Sequence, residues 1–170
     1  MVRLGVTGHR HLDDPDAVGR LVDEVLDDLG PDGTVVSSLA EGADRVGAWR
    51  ARHRGWDLVA VLPLAAEDYG TDFSSDESRA EMAGLLDGAS EVEQVPPQST
   101  RDDAYLAAGL RVLERSDVVL AVWDGEPARG RGGTAEIVQR ARDAGLPLAW
   151  LDVGPDGPPR LVKERWPWGS

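Results

Sequence analysis

The sequence predicts an α/β fold of the doubly wound, Rossmann-like kind, with a mostly parallel sheet of about six strands and helices on both faces. Three observations carry this. Short β-like runs alternate with amphipathic helical runs along the chain. Most of the strand-like runs are apolar throughout, as expected for strands covered on both sides. Glycines and unusual polar residues gather where strands lead into helices, while the return connections are ordinary turns such as Gly30-Pro31-Asp32-Gly33 and Gly145-Leu146-Pro147.

The elements can be justified in order. Strands read at Arg3–Thr7, Thr34–Leu39, Leu58–Leu62, Glu91–Val95, Asp117–Trp123 and Leu148–Val153. The first helix has Asp14 as N-cap and Pro15 at its first position, and it ends at Leu29 before Gly30-Pro31. The second runs from about Gly42 to His53 and stops at Gly55. Ser74-Ser75-Asp76-Glu77 offers a capping box for the third, which ends near Gly88. Thr100 opens the fourth, with Ala104, Leu106, Ala107, Leu110 and Leu113 as its apolar positions. The fifth spans Thr134 to Ala144, terminated by Gly145 and Pro147. Residues 1–153 form the expected nucleotide-binding domain and 154–170 a C-terminal tail. In that tail Gly154–Pro159 reads as loop, and Leu161, Val162, Trp166, Pro167 and Trp168 as an apolar end that docks on its own domain.

Composition sets the limits. A chain of 170 residues without cysteine makes one domain that needs no disulfide and offers no thiolate metal site. The apolar run at Val2–Val6 is too short for a signal peptide core and no run reaches transmembrane length, so a cytoplasmic protein is expected. The net charge of −13 argues against nucleic acid and anionic membranes as partners, because both require a positive field. A small anion remains compatible, since local N–H dipoles and arginines override the global sign.

In an open parallel sheet, ligands bind outside the carboxyl ends of the strands. The segments there are Thr7-Gly8-His9-Arg10-His11, Ser37–Asp44, Asp68–Phe73, Gln98–Arg101 and Trp123-Asp124-Gly125, followed by Gly130-Arg131-Gly132-Gly133-Thr134. The last is a glycine-rich turn between a buried strand and a helix. Such a turn presents backbone N–H groups and the positive helix end to an anion, most commonly a phosphate; otherwise its glycines serve backbone shape alone. The first turn lacks G-x-G-x-x-G and there is no G-x-x-x-x-G-K-[ST], so an ordinary dehydrogenase and a P-loop enzyme are excluded. His53 reads as a cap or surface residue, and His9 and His11, two histidines at the cleft without a clear carboxylate partner, make a weak metal case, so no metal and no cofactor is expected.

Most candidates have two readings. Arg10 meets an anion or pairs with Asp13 or Asp14. Ser38 binds a ribose or phosphate, or caps the second helix. Glu41 and Glu136 are acid/base groups or partners of a helix dipole. Asp124 holds a ribose hydroxyl. Tyr69 and Phe73 stack on a base or close a loop. Trp49, Trp56 and Trp150 are packing residues, and Trp123 is placed to line the pocket.

Three segments, Thr7-Gly8-His9-Arg10, Ser38-Leu39-Ala40-Glu41-Gly42-Ala43-Asp44 and Gly130–Glu136, together resemble the SLOG superfamily. These are Rossmann-like domains related to the LOG phosphoribohydrolases, the nucleotide-binding domain of DprA and the YpsA-like proteins. The resemblance spans nearly the whole chain. It implies a pocket for a nucleotide or nucleotide-derived signal, with phosphate on Gly132, Gly133 and Thr134. Thr7, Gly8, His9, Arg10, Ser38, Glu41, Gly42, Asp124, Gly125 and Arg131 complete the expected binding set. In LOG enzymes the motif P-G-G-x-G-T-x-x-E ends in a glutamate that works with an arginine to cleave an N-glycosidic bond. Here no proline precedes the loop, Arg131 interrupts the glycines, and Glu136 follows Thr134 by two residues rather than three. One residue rotates a side chain by about 100° on a helix. The expectation is therefore a sensor or regulatory module that binds its ligand. The alternative is a hydrolase acting on a nucleoside phosphate or NAD-like dinucleotide, with Glu136 or Glu41 as acid/base and Arg10 or Arg131 orienting the phosphate. Homodimers are the commonest oligomers and the superfamily often dimerises, so a homodimer or a signalling partner is expected.

Overall fold

The computed structural model describes residues 1–127 and 133–169. The strands are β1 (Val2–Gly8), β2 (Gly33–Ser37), β3 (Asp57–Leu62), β4 (Glu91–Gln94), β5 (Val118–Trp123), β6 (Leu148–Asp152) and β7 (Arg160–Glu164). The helices are α1 (Pro15–Leu29), α2 (Ala43–His53), α3 (Ala66–Gly70), α4 (Asp76–Asp87), α5 (Arg101–Glu114) and α6 (Thr134–Asp143). One sheet has the order β4-β3-β2-β1-β5-β6-β7. All its pairings are parallel except the last, where β7 runs antiparallel to β6. This is the Rossmann-like α/β fold expected from the sequence.

Side-chain alternation shows why the strands are apolar throughout. Val118, Leu120 and Val122 of β5 join the cluster that includes Val18, Val22 and Leu26 of α1. Val119 and Ala121 point the other way, into the cluster with Ile137, Val138 and Ala141 of α6. In β3, Leu58, Ala60 and Leu62 divide from Val59 and Val61 in the same manner. The helix starts follow their caps. Asp14 accepts from the Ala17 N–H at 3.0 Å, Ser75 from Ser78 at 3.1 Å and Thr100 from Asp103 at 3.0 Å.

Two elements go beyond the sequence reading. The single-turn α3 lies in a stretch too short for helical periodicity to register. The second is β7, in the segment read as a tail. Only Leu161 and Val162 interrupt its charged residues, as is common for an edge strand. The chain then packs Trp166 and Trp168 against the α1 side of the core, with the Trp166 indole N–H donating to Asp28 at 2.9 Å. Among the described residues no helix is long and apolar enough to cross a membrane.

Candidate functional site

The sheet order reverses between β1 and β5, whose chain neighbours β2 and β6 lie on opposite sides. A crevice opens at such a switch point. Here it is a cavity of about 490 Å³, within the size range of small-molecule sites. Its floor is Thr7, Gly8 and His9 from the end of β1 and Trp123 and Asp124 from the end of β5. Ser38, Ala40 and Asp44 close it on the β2 side, and Gly133, Thr134 and Ala135 at the start of α6 close it on the other. α5 supplies one face, Asp102, Tyr105, Gly109 and Val112, at helical spacing. Gly109 lets α6 come near, because a Cβ there would sit 2.6 Å from Ile137 Cδ1.

Close backbone approach builds the floor. A Cβ on Gly8 would lie 2.5 Å from Ala43 Cβ and 2.8 Å from the Val122 carbonyl. The Ala43 N–H donates to the His9 carbonyl at 3.0 Å, and the His9 N–H to Val122 at 3.0 Å. Gly42, at φ 85°, faces the carbonyls of His9 and Arg10 so closely that a side chain there would collide with both. Leu39, just beyond β2, is a buried non-glycine residue at φ 58°. Its N–H donates to Ser37 Oγ at 3.0 Å, and its carbonyl accepts from Arg45 Nε at 3.1 Å. The strain of that conformation is held by its neighbours, a pattern that recurs at functional sites.

His9 Nε2 accepts from the Asp124 N–H at 3.0 Å and lies 3.3 Å from Asp124 Oδ1. A nitrogen that accepts carries no proton, so this arrangement is the Nδ1–H tautomer. The Arg10 guanidinium lies 4.8 Å from the Tyr105 ring centroid, rather than on Asp13 or Asp14. The helix N-cap of α6 is Gly133, which has no side chain to satisfy the first-turn N–H groups.

The inner wall holds Asp44, Tyr69 and Tyr105. Asp44 is buried, and burial pushes its carboxyl up to about 7 against the Ala40 N–H and the charges of Arg10 and Arg45. Tyr69 is wholly buried. Burial, reinforced by Asp44, pushes its phenol above the ordinary tyrosine range. The hydroxyls of Tyr69 and Tyr105 are both buried and have no hydrogen-bond partner among the described residues. Each such group costs about 1–3 kcal/mol.

The candidate residues thus divide. Thr7, Gly8, His9, Arg10, Ser38, Asp124, Gly133 and Thr134 meet around the cavity. Glu41 and Gly42 lie in a neighbouring groove between α2 and α4, which Arg10 also borders. Glu41 accepts there from Ser74 Oγ and Ser78 Oγ, each at 2.7 Å. Burial raises its carboxyl, but these bonds outweigh it and hold the group below the usual carboxylate range. Gly125 makes the turn after β5 beneath Trp150. Glu136 is half-buried on α6 and is not among the described residues that line the cavity. Arg131 and Gly132, with the rest of 128–132, lie outside the described residues. Phe73 packs under the Arg45 guanidinium and edge-on to Tyr69, away from the cavity. His11 is exposed beside Asp13. Among the described residues no group of three or more His, Asp or Glu is placed to hold a metal.

Sequence reasoning passed over Asp44, Tyr105 and Asp102. Asp44 was legible in the Ser38–Asp44 segment, but an acid in a first helical turn reads as a dipole partner. Tyr105 and Asp102 sit in the first turns of α5, at the same carboxyl edge of the sheet.

No protein-family model matches the sequence, and no curated protein matches it. The fold is similar to the X-ray structure of DNA processing protein A (DprA) from Streptococcus pneumoniae. The TM-score is 0.66 at 18% sequence identity, covering 92% of this chain and 52% of DprA. The chain therefore spans about half the length of that protein. The Rossmann-like α/β fold expected from the sequence is the fold this chain shares with DprA.

Proposed function

We propose that the cavity binds a nucleotide or a nucleotide-derived signal and that the chain serves as a sensor or regulatory module. The single observation that carries this is the cavity's position at the β1/β5 switch point, closed on one side by the side-chain-free N-cap of α6. In this reading the phosphate lies on the N–H groups following Gly133, with Thr134 Oγ1 and His9 beside it, and Arg10 supplies positive charge at the entrance. Occupancy is passed to a partner protein or to a second copy of the chain. DprA is described as a DNA-processing protein, but the net charge of −13 here favours a small anion over a polyanion.

A second reading, hydrolysis of an N-glycosidic bond, rests on one observation. The Asp44 carboxyl at the cavity wall is held near neutrality, where it can give or take a proton. It joins Glu136 and Glu41 as an acid/base candidate.

The test is a thermal-shift screen against nucleoside mono-, di- and triphosphates, NAD, ADP-ribose and cyclic oligonucleotides, with chromatography of each mixture. A raised Tm with ligand recovered intact is the expected result. Release of free base establishes the hydrolase instead. No shift and no release across the panel overturns both readings.

A further inference from the structure

The inner wall of the cavity bears on which part of a nucleotide it receives, an inference that rests on the nucleotide reading above. Two hydroxyls, of Tyr69 and Tyr105, are buried at this wall without a hydrogen-bond partner among the described residues. Their rings are 6.1 Å apart, and Asp44 is the third polar group beside them. A native structure seldom leaves buried polar groups unpaired, and those it leaves at a cavity wall suit a polar occupant.

The chemistry of these groups narrows the occupant. A phenol donates and accepts, and its hydrogen rotates to suit. A carboxyl accepts when ionised and also donates when protonated. Sugar hydroxyls likewise donate and accept at once, whereas the edge of a base has a fixed pattern of donors and acceptors. The wall also offers little for a base to stack on. Tyr69 is wholly buried, so its ring presents no face for stacking. The Arg10 guanidinium covers a face of Tyr105, and Trp123 is packed against Trp150. The span fits as well. Two strand spacings of about 4.8 Å separate the ends of β2 and β5. A phosphate at the start of α6 thus has its sugar, rather than a distant group, near Asp44.

We infer that Tyr69, Tyr105 and Asp44 form a hydroxyl-recognition subsite for the ribose of the bound nucleotide.

The experiment compares each nucleotide that raises the Tm with its 2′-deoxy and 2′,3′-dideoxy forms, by calorimetric titration of wild type, Tyr69→Phe and Tyr105→Phe. The expected result is a wild-type preference for the ribose form of at least tenfold over the dideoxy form. Tyr69→Phe should weaken the ribose form about tenfold and leave the dideoxy form unchanged, with Tyr105→Phe acting in the same sense. Without ligand, Tyr69→Phe should melt at or above the wild-type temperature, because it removes a buried hydroxyl that pairs with nothing. This separates lost recognition from lost folding. Equal wild-type affinity for ribose and dideoxy forms, or equal weakening of both by Tyr69→Phe, overturns the subsite while leaving nucleotide binding intact. Absence of binding by any nucleotide, whatever its sugar, overturns the nucleotide reading and the subsite with it.

Discussion

Glu41 and Asp44 sit three residues apart at the start of α2, yet they face opposite surroundings. Glu41 lies in the groove against α4, where Ser74 and Ser78 hydroxyls meet its carboxylate and hold it ionised. Asp44 faces the switch-point cavity, where burial works against ionisation and the nearest phenol hydroxyls are unpaired. In the groove the Glu41 carboxylate is met by two hydroxyls. Arg45 braces the Leu39 carbonyl, Ser78 Oγ and Glu81, and its remaining unpaired nitrogen belongs to a guanidinium seated 4.4 Å from the Phe73 ring centroid. Around Glu41 the hydroxyl contacts make a structural joint, whereas Asp44 and the two unpaired phenols belong to residues that line a cavity. The residue type alone does not distinguish them; the partners do.

The largest effect expected from this contrast is on the cavity side. Gly133→Asp places a carboxylate where the proposed phosphate sits. Gly133 has φ −73° and ψ 166°, extended backbone that any residue adopts, and aspartate is a favourable N-cap. The variant should fold with unchanged or slightly raised Tm and lose affinity by about a hundredfold or more. Wild-type affinity in this variant would remove the anion site from the model of function.

At the seam between the two regions, Gly42→Ala should destabilise the fold by about 3 kcal/mol, with or without ligand. Its methyl group would meet the His9 and Arg10 carbonyls in a left-handed backbone that favours glycine. Urea titration measures this, and a loss below about 1 kcal/mol would mean that the first turn and α2 are less tightly joined than described.

Asp44 gives a pH signature that Glu41 cannot. Its carboxyl is raised from an ordinary 3.8 to about 7 in the folded chain. Below about pH 4 both folded and unfolded forms hold the proton. Between about 4 and 7 the unfolded form releases it and the folded form keeps it, so this group's contribution to stability falls as pH rises. Above 7 the loss is complete. The slope is at most about 1.4 kcal/mol per pH unit. Asp44→Asn should remove that slope, so the difference in unfolding free energy between variant and wild type should change across pH 4–7 and be flat above it. A difference that is constant across the range would place Asp44 among ordinary carboxylates.

The fold was largely legible because its signals are local and repeated: apolar runs for strands buried on both faces, Asp14-Pro15, Ser75 and Thr100 for helix starts, glycines at the turns. The carboxyl-edge rule then drew Thr7–Arg10, Ser38, Asp124 and Gly133-Thr134 toward one place without any knowledge of side-chain direction. What stayed hidden depends on direction and distant partners. Whether Glu41 or Asp44 enters the cavity is set by Ser74 and Ser78, more than thirty residues away. Tyr105 enters it because α5 crosses behind β1, and β7 exists because β6 offers it an edge.

The smallest effect expected sharpens the contrast from the groove side. Glu41→Gln keeps the shape and removes the charge. Ser74 and Ser78 can still donate to the amide oxygen, so the loss is the charge assistance in a partly exposed setting, about 1 kcal/mol of stability. Because Glu41 does not line the cavity, affinity for any ligand found there should change less than twofold. Calorimetric titration of this variant beside Asp44→Asn reads both sides at once. A large loss of affinity in Glu41→Gln would return that residue to the site and show that the groove and the cavity bind as one surface, with Arg10, which borders both, as the link between them.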